Sequence, residues 1–337
     1  MVDLGPLWPM AHPETWLYPR REGLFCAPGG FFIDPVRAVD RAVITHAHSD
    51  HARAGHAAVL TRPETAALMR ARLGTGRTIY QTLNWGEVLR LGEVAIWLQP
   101  AGHVLGSAQI AIEYAGQRVV VSGDYKRQPD RSCAPFEPIA CDVFVTEATF
   151  GLPIFRHPDA ADEVDKLLAS VARLPDLSHV VGCYSLGKTQ RLICLLRDAG
   201  WDGPIHLHPA VSTMCQIYEN FGIGLGDLRK LAEAPSRGAI VLAPLSSVPA
   251  ALGDPVLVQA SGWLRVRKRA LQSRADLPLV ISDHADWDGL LGTIAEVAAP
   301  EIWITHGSEA ALIHEIGKRG RRARALRLIG YGAEDGQ

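Results

Sequence analysis

The chain has 337 residues, of which 47% are hydrophobic and 21% charged, and its formal net charge at pH 7 is −2. This composition is typical of a soluble globular protein with two domains, and the absence of any run of about 18 apolar residues argues against a membrane partner. Six scattered cysteines form no C-x-x-C pair, and the first residues lack a signal-peptide pattern, so the sequence predicts a cytoplasmic protein with free thiols.

Short apolar stretches that end in Gly, Pro or Asp dominate the first 150 residues and predict β-strands. The clearest are RAVIT, EVAIWLQP and VFVTEA, and the stretch AQIAIEY-AGQ-RVVVSG predicts a hairpin. PETAALMRARL has a helical period. From about residue 153, DEVDKLLASVARL and KTQRLICLL predict helices, and the last 60 residues alternate strand and helix. We therefore expect a layered α/β protein.

One stretch, GCYSLGKT at residues 182–189, matches the phosphate-loop pattern G-x-x-x-x-G-K-[ST]. A phosphate loop needs a buried strand before it, a helix after it, and an acidic strand end elsewhere to hold Mg²⁺. Only a short strand precedes this stretch, a helical pattern follows it, and no acidic partner is identifiable. We expect a strand-to-helix turn and no bound ATP.

Potential metal ligands collect at the ends of the predicted strands. Four of them lie within six residues, in the pattern H-x-H-x-D-H that follows RAVIT. Other strand ends add single residues: Asp34, His103, Asp124, Glu147, His284 and His306. Burying so many polar groups at one sheet edge without a cation would be costly.

Imidazole and carboxylate ligands suit Zn²⁺, and this set exceeds the four ligands of one tetrahedral ion, so the sequence predicts two divalent ions. Zn²⁺ is the expected metal, and Mn²⁺ is the alternative at one of the two positions. Two neighbouring ions can activate water and stabilise both oxygens of a phosphodiester that is being cleaved. The sequence thus predicts a metal-dependent hydrolase.

These motifs, in this order, resemble the metallo-β-lactamase superfamily, whose fold is a four-layer αββα sandwich with metals at one sheet edge. The resemblance implies the following ligands: His46, His48 and His103 for one metal, Asp50, His51 and His306 for the other, and Asp124 bridging both. It also implies that Asp34 supports the metal-binding loop.

TEATFG, SDHAD and THG further resemble the additional motifs of the β-CASP nucleases, which carry an inserted cap domain. The resemblance implies a first metallo-β-lactamase segment at 1–152, a β-CASP cap at 153–276 and a second metallo-β-lactamase segment at 277–337. The same resemblance implies that His284 assists the leaving group and that Glu147 orients His284. The predicted catalytic residues are therefore Asp50, Asp124, Glu147 and His284.

The motifs give two conflicting signals about the kind of nucleic acid. His306 resembles RNA-processing members, whereas GCYSLGK and the segments GLFCAPGGFFIDP and SGWLRVRKR are most similar to bacterial ligase-associated DNA exonucleases. That similarity implies DNA repair, a single strand or exposed DNA end as substrate, and an ATP-dependent DNA ligase and a helicase as functional partners. Artemis-type relatives imply removal of nucleotides from a 5′ end, although no residue fixes the direction.

Two alternatives remain: an RNA-processing nuclease with the same site, and a non-catalytic nucleic-acid scaffold, which the intact ligand set disfavours. For substrate binding we expect phosphate contacts from Arg265 and Arg267 in the basic segment. Ser185 and Lys188, at the start of the helix after GCYSLG, are candidates for a DNA phosphate contact, with a purely structural turn as the alternative.

Overall fold

The computed structural model describes residues 12–74, 76–233, 237–244 and 252–328. The strands are β1 (Leu17–Arg20), β2 (Gly23–Cys26), β3 (Phe31–Ile33), β4 (Arg41–Val43), β5 (Ala58–Thr61), β6 (Ile79–Thr82), β7 (Leu89–Leu91), β8 (Val94–Pro100), β9 (Ala108–Tyr114), β10 (Gln117–Val121), β11 (Val143–Ala148), β12 (His179–Gly182), β13 (Ile205–Leu207), β14 (Leu228–Lys230), β15 (Ile240–Ala243), β16 (Val256–Ala260), β17 (Leu277–Leu279), β18 (Glu301–Gly307) and β19 (Arg322–Ala325). The helices are α1 (Pro63–Leu73), α2 (Ala160–Arg173), α3 (Lys188–Asp198), α4 (Pro209–Asn220), α5 (Arg267–Gln272), α6 (Trp287–Val297) and α7 (Glu309–Lys318). No described helix has both the length and the apolar character needed to cross a bilayer.

Two sheets pack face to face to form the centre of the sandwich. One has the order β1-β2-β3-β4-β5-β6, and the other has the order β19-β18-β11-β10-β9-β8-β7. Their inner faces share one apolar core that includes Leu24, Ile33, Ile110 and Trp303. The outer face of the second sheet packs on α6 and α7, and that of the first sheet packs on α1. These four layers confirm the predicted αββα fold class.

The strand patterns of the sequence have a direct physical basis in this sandwich. The segment Ile302–Ile304 is buried throughout because β18 pairs in parallel with strands on both sides and is covered on both faces. The predicted hairpin is also present, with Tyr114 opposite Gln117 in the antiparallel pair of β9 and β10. The apolar runs of the sequence therefore predicted these buried strands correctly.

A third sheet is formed by strands between residues 179 and 279, most of them in the segment 153–276 that was predicted to be the cap. Its order is β14-β13-β15-β12-β16-β17, and every pair in it is parallel. Helices α2, α3 and α4 share a core with this sheet and with the outer face of the first sheet. Strand β17 lies just after the predicted domain boundary at residue 276, and the boundaries themselves stay a prediction.

The sandwich positions the candidate site through its strand directions. Strands β8, β10, β11 and β18 run parallel to one another, so their carboxyl ends meet at one edge of the second sheet. His103 and Asp124 come directly after two of these strands, and Glu147 and His306 lie in the last residues of the other two. The predicted gathering of polar residues at one edge is thus a consequence of topology.

Candidate metal centre

Three histidines point one ring nitrogen each toward a common centre. His48 Nδ1 lies 3.2 Å from His46 Nε2 and 3.0 Å from His103 Nε2. The opposite nitrogens face oxygens: His46 Nδ1 lies 3.0 Å from Thr45 Oγ1, His48 Nε2 3.2 Å from the Leu186 carbonyl, and His103 Nδ1 2.9 Å from the Asp283 carbonyl. A carbonyl can only accept, so His48 and His103 donate outward, and the tautomer with this outward N–H is the one that leaves the inward nitrogen available as a metal ligand.

Asp124 joins these histidines to a second group. Its Oδ2 lies 3.5 Å from His46 Nε2 and 3.4 Å from His51 Nε2, and its Oδ1 lies 3.0 Å from His306 Nε2. Ligand atoms within 4.8 Å of one another form the groups His46–His48–His103–Asp124, His46–Asp50–His51 and His51–Asp124–His306. The arrangement brings together all seven predicted ligands and places Asp124 between two candidate cation positions.

Asp34 holds the loop that carries His51. Its Oδ1 accepts from the Thr45 amide at 2.8 Å, and its Oδ2 accepts from Thr45 Oγ1 at 2.6 Å and from His51 Nδ1 at 2.8 Å. Because Nδ1 of His51 donates to Asp34, Nε2 faces Asp50 and Asp124. A carboxylate behind a ligating histidine fixes the ring orientation and raises its basicity.

The electrostatics of these groups follow from burial. Burial lowers the pKa of His46 and of His103 well below the ordinary value, so their rings are neutral. Burial also disfavours the charged form of His51, but the carboxylates of Asp124 and Asp50 outweigh it and raise the pKa of His51. Likewise burial opposes ionisation of Asp124, yet His51 and His306 hold its pKa well below the usual range. Neutral imidazoles with an ionised carboxylate are a donor set that fits Zn²⁺.

Beside this centre, Glu147 and His284 form a pair. Glu147 is fully buried; its Oε1 accepts from the Tyr125 amide at 2.7 Å, and its Oε2 lies 2.9 Å from His284 Nδ1. The centroid of the His284 ring lies 4.7 Å from that of His103 with the two planes tilted by 51°, and Asp124 lies within ligand distance of the pair. Glu147 therefore orients His284 toward the candidate metal centre.

A network of charges from α3 supports the same residues and was not predicted from the sequence. Arg191 is 1% exposed, forms ion pairs with Asp130 and Asp283, and donates to the carbonyls of Gly102 and His103 at 3.1 and 2.8 Å. In the chain, Asp130 lies 61 positions and Asp283 lies 92 positions away from Arg191. The only sequence signal was the run of polar residues in the first turn of α3, which the structure buries completely.

The four residues predicted to contact nucleic acid differ in solvent exposure and in their hydrogen-bond partners. Lys188 is 5% exposed, donates to the Ile281 carbonyl at 2.8 Å and pairs with Asp283 at 3.1 Å, so its side chain faces a carboxylate of the chain and its phosphate contact stays a prediction. Ser185 is half-buried, and its carbonyl accepts from Gln190. Arg265 and Arg267 are exposed, and Arg265 donates to the Arg156 carbonyl at 2.8 Å. Their roles in binding stay predictions.

The glycine after His306 is required by close packing, and this leads to a testable prediction. Gly307 has φ +101°, and a Cβ there would lie 2.0 Å from the Ala148 carbonyl oxygen. We expect Gly307→Ala to destabilise the protein by more than about 2 kcal/mol, since β18 must move away from β11. Urea unfolding would measure the change.

The matched control is Gly292→Ala, at an exposed position inside α6 where a Cβ meets no atom within 4 Å. This substitution should stabilise the helix by about 0.5–1 kcal/mol. Equal unfolding midpoints for the two variants would contradict the close-packing explanation.

The comparison with known protein families concerns the segment from residue 34 to residue 177. Residues 34–177 match the family model described as the metallo-beta-lactamase superfamily. A crystal structure of a protein of unknown function from Enterococcus faecalis V583 superposes with a TM-score of 0.60 at 15% identity, covering 86% of this chain and 80% of that one. At this identity the likeness concerns the fold alone.

Similar proteins with assigned names divide into two groups. A probable DNA ligase from Opitutus terrae is 30% identical over 92% of this chain and 31% of its own length. An endoribonuclease ysh1 from Aspergillus fumigatus is 27% identical over 48% of this chain and 20% of its own length, and the cleavage and polyadenylation specificity factor subunit 3-I from Arabidopsis thaliana is 22% identical over 70% and 40%. The chain therefore spans less than half the length of each of these relatives.

Proposed function

This protein carries a metallo-β-lactamase domain, and from that premise we propose that it is a metal-dependent nuclease that hydrolyses phosphodiester bonds of DNA as an exonuclease. We further propose that it removes nucleotides from a 5′ end during DNA repair, in the cytoplasm. The observation that carries the choice of DNA is the 30% identity over 92% of the chain with a protein named as a probable DNA ligase.

The same relative supports a proposal about partners. This chain matches only 31% of that protein's length, so the matched region is joined there to other segments under one name, probable DNA ligase. We propose that the present chain works with an ATP-dependent DNA ligase and a helicase, which would seal and open the strands that it trims.

A second candidate function is an RNA-processing endonuclease. Two observations favour it: the relatives named as an endoribonuclease and as a cleavage and polyadenylation factor subunit, and the position of His306, whose Nε2 lies 3.0 Å from Asp124. The motif with His306 resembles that of RNA-processing members. Both candidate functions use the same chemistry.

In this proposal two divalent ions, Zn²⁺ at both positions or Mn²⁺ at one, supply Lewis acidity and an activated water. His46, His48 and His103 would hold one ion, Asp50, His51 and His306 the other, and Asp124 both. The contribution of Glu147 and His284 is proton transfer. Glu147 Oε2 holds the Nδ1 proton, and a buried carboxylate stabilises the protonated ring, so His284 can donate its other proton, on Nε2, to the leaving oxygen.

The test compares single-stranded DNA and RNA of one sequence, each labelled at either end. Protein restored with Zn²⁺ or Mn²⁺ is measured beside chelator-treated protein. We expect stepwise shortening of DNA from the 5′ end that chelation abolishes. Faster cleavage of RNA at internal positions would support the second candidate instead, and equal turnover after chelation would contradict metal dependence.

A further inference from the structure

A cavity of about 280 Å³ opens beside the candidate site, on the side of His284. Its charged and imidazole side chains are Lys126, Arg127, His157, Asp159, His284 and Asp286. At about 30 Å³ per water molecule, it has room for a phosphate group and several waters. Because His284 forms part of its wall, a ligand in this cavity would lie next to the reacting bond.

Lys126 is the unusual residue of this cavity. It is 8% exposed, and in the part of the chain that the structure describes no hydrogen bond or ion pair joins its ammonium group to another residue. A buried ammonium without a partner is costly, so buried lysines are nearly always paired. An anion in the cavity would give this lysine a partner that the described residues do not supply.

The charges around Lys126 lead to the same conclusion. Asp130 and Asp283 are two buried carboxylates that act electrostatically on Lys126. Both carboxylates are already engaged: Asp130 pairs with Arg191, and Asp283 pairs with Lys188 and Arg191. Neither carboxylate therefore pairs with Lys126, which lines the cavity.

The other charged groups of the cavity wall are also engaged. Arg127 donates two hydrogen bonds to Glu296. Asp159 caps α2 and accepts from Gln128, and Asp286 caps α6 and accepts from the His157 amide. Both carboxylates thus face backbone amides at helix starts, and neither forms an ion pair with Lys126.

We propose that Lys126 binds a non-scissile backbone phosphate of the nucleic-acid strand in this cavity and so positions the neighbouring scissile bond against His284. The inference rests on the proposed function, because it takes a single strand of DNA as the occupant. Lys126 is then a positioning and binding residue. A second cavity of about 400 Å³, which shares His157 and Pro158 with the first and includes Arg265, extends the basic path along the strand.

The test measures binding of fluorescein-labelled single-stranded DNA with phosphorothioate linkages, which keep the charge and slow hydrolysis. Metal-restored wild type, Lys126→Met, Lys126→Arg and the control Lys318→Met are compared by fluorescence anisotropy over a range of salt concentrations. Lys318 is exposed at the end of α7. Loss of one phosphate contact should make the slope of log affinity against log salt shallower by about 0.7 in Lys126→Met.

We expect Lys126→Met also to bind about tenfold more weakly at low salt, with KM for cleavage raised and kcat within about threefold of wild type. Lys126→Arg and Lys318→Met should keep the wild-type slope. If wild type binds and cleaves DNA but Lys126→Met keeps the wild-type slope and affinity, the proposed phosphate contact is wrong and the proposed function stands. Failure of wild type to bind DNA would overturn the proposed function together with it.

Discussion

Replacing Asp124 with asparagine should lower phosphodiester hydrolysis by at least about 10³-fold and reduce the number of metal ions bound per chain. The reason is the shared position of this carboxylate. Its Oδ2 faces His46 and His51, and its Oδ1 faces His306, so both candidate cation positions lose a ligand and a negative charge together. Carboxamides keep the shape of the side chain but are poor ligands for Zn²⁺.

Metal content by mass spectrometry and cleavage rates would be measured on the same preparations. Asp165→Asn, at an exposed position of α2, makes the same chemical change away from the site and should match wild type in both measurements. Urea unfolding separates loss of a ligand from loss of fold. Full metal content with wild-type turnover in Asp124→Asn would exclude a bridging role for this residue.

Replacing Arg191 with methionine should cost about 3–5 kcal/mol of folding free energy, because it leaves the carboxylates of Asp130 and Asp283 buried with less compensation. Activity should fall as well. Arg191 donates to the His103 carbonyl, and Asp283 accepts from His103 Nδ1, so both contacts hold a candidate metal ligand in place.

The measurement is urea unfolding of Arg191→Met and of the double variant Arg191→Met with Asp130→Asn. Removing one of the two carboxylates should recover part of the lost stability, since the remaining charge still pairs with Lys188 through Asp283. Arg173→Met, at an exposed position near the end of α2, is the control and should stay within about 0.5 kcal/mol of wild type. A loss below about 1 kcal/mol in Arg191→Met would show that the charge network contributes little.

Local pattern predicted the buried strands and their polar edge, and the four-layer sandwich was implied by the resemblance to the metallo-β-lactamase superfamily. Apolar runs in β8, β10, β11 and β18 mark buried strands, and the residues that follow them, such as His103 and Asp124, must lie at one edge when the strands are parallel. His46 and His51 lie at this edge together because both follow β4 within a few residues, whereas the assignment of each to one of two metals came from the family resemblance and stays a prediction. Local information was sufficient wherever chain neighbours make the site.

What local pattern could not predict is the set of contacts between distant segments. Lys188 sits in a pattern that usually places a lysine on phosphate, yet the orientation of α3 turns it onto Asp283. The isolation of Lys126 has the same origin, because an unpaired lysine is recognised only when every neighbouring carboxylate has been located. Such features depend on how the inserted segment packs, which no single stretch of sequence encodes.

The contact between the inserted segment and the histidine cluster has a consequence for how this architecture can diversify. The Leu186 carbonyl accepts from His48, and Gly187, at φ +88°, leaves no room for a side chain beside Val104. A recombined protein that took this segment from a distant relative would therefore take a hydrogen-bond partner of His48 from the donor. We expect successful exchanges to keep residues 186–191 with the recipient and to vary the segment beyond them, so that the contact with His48 stays constant.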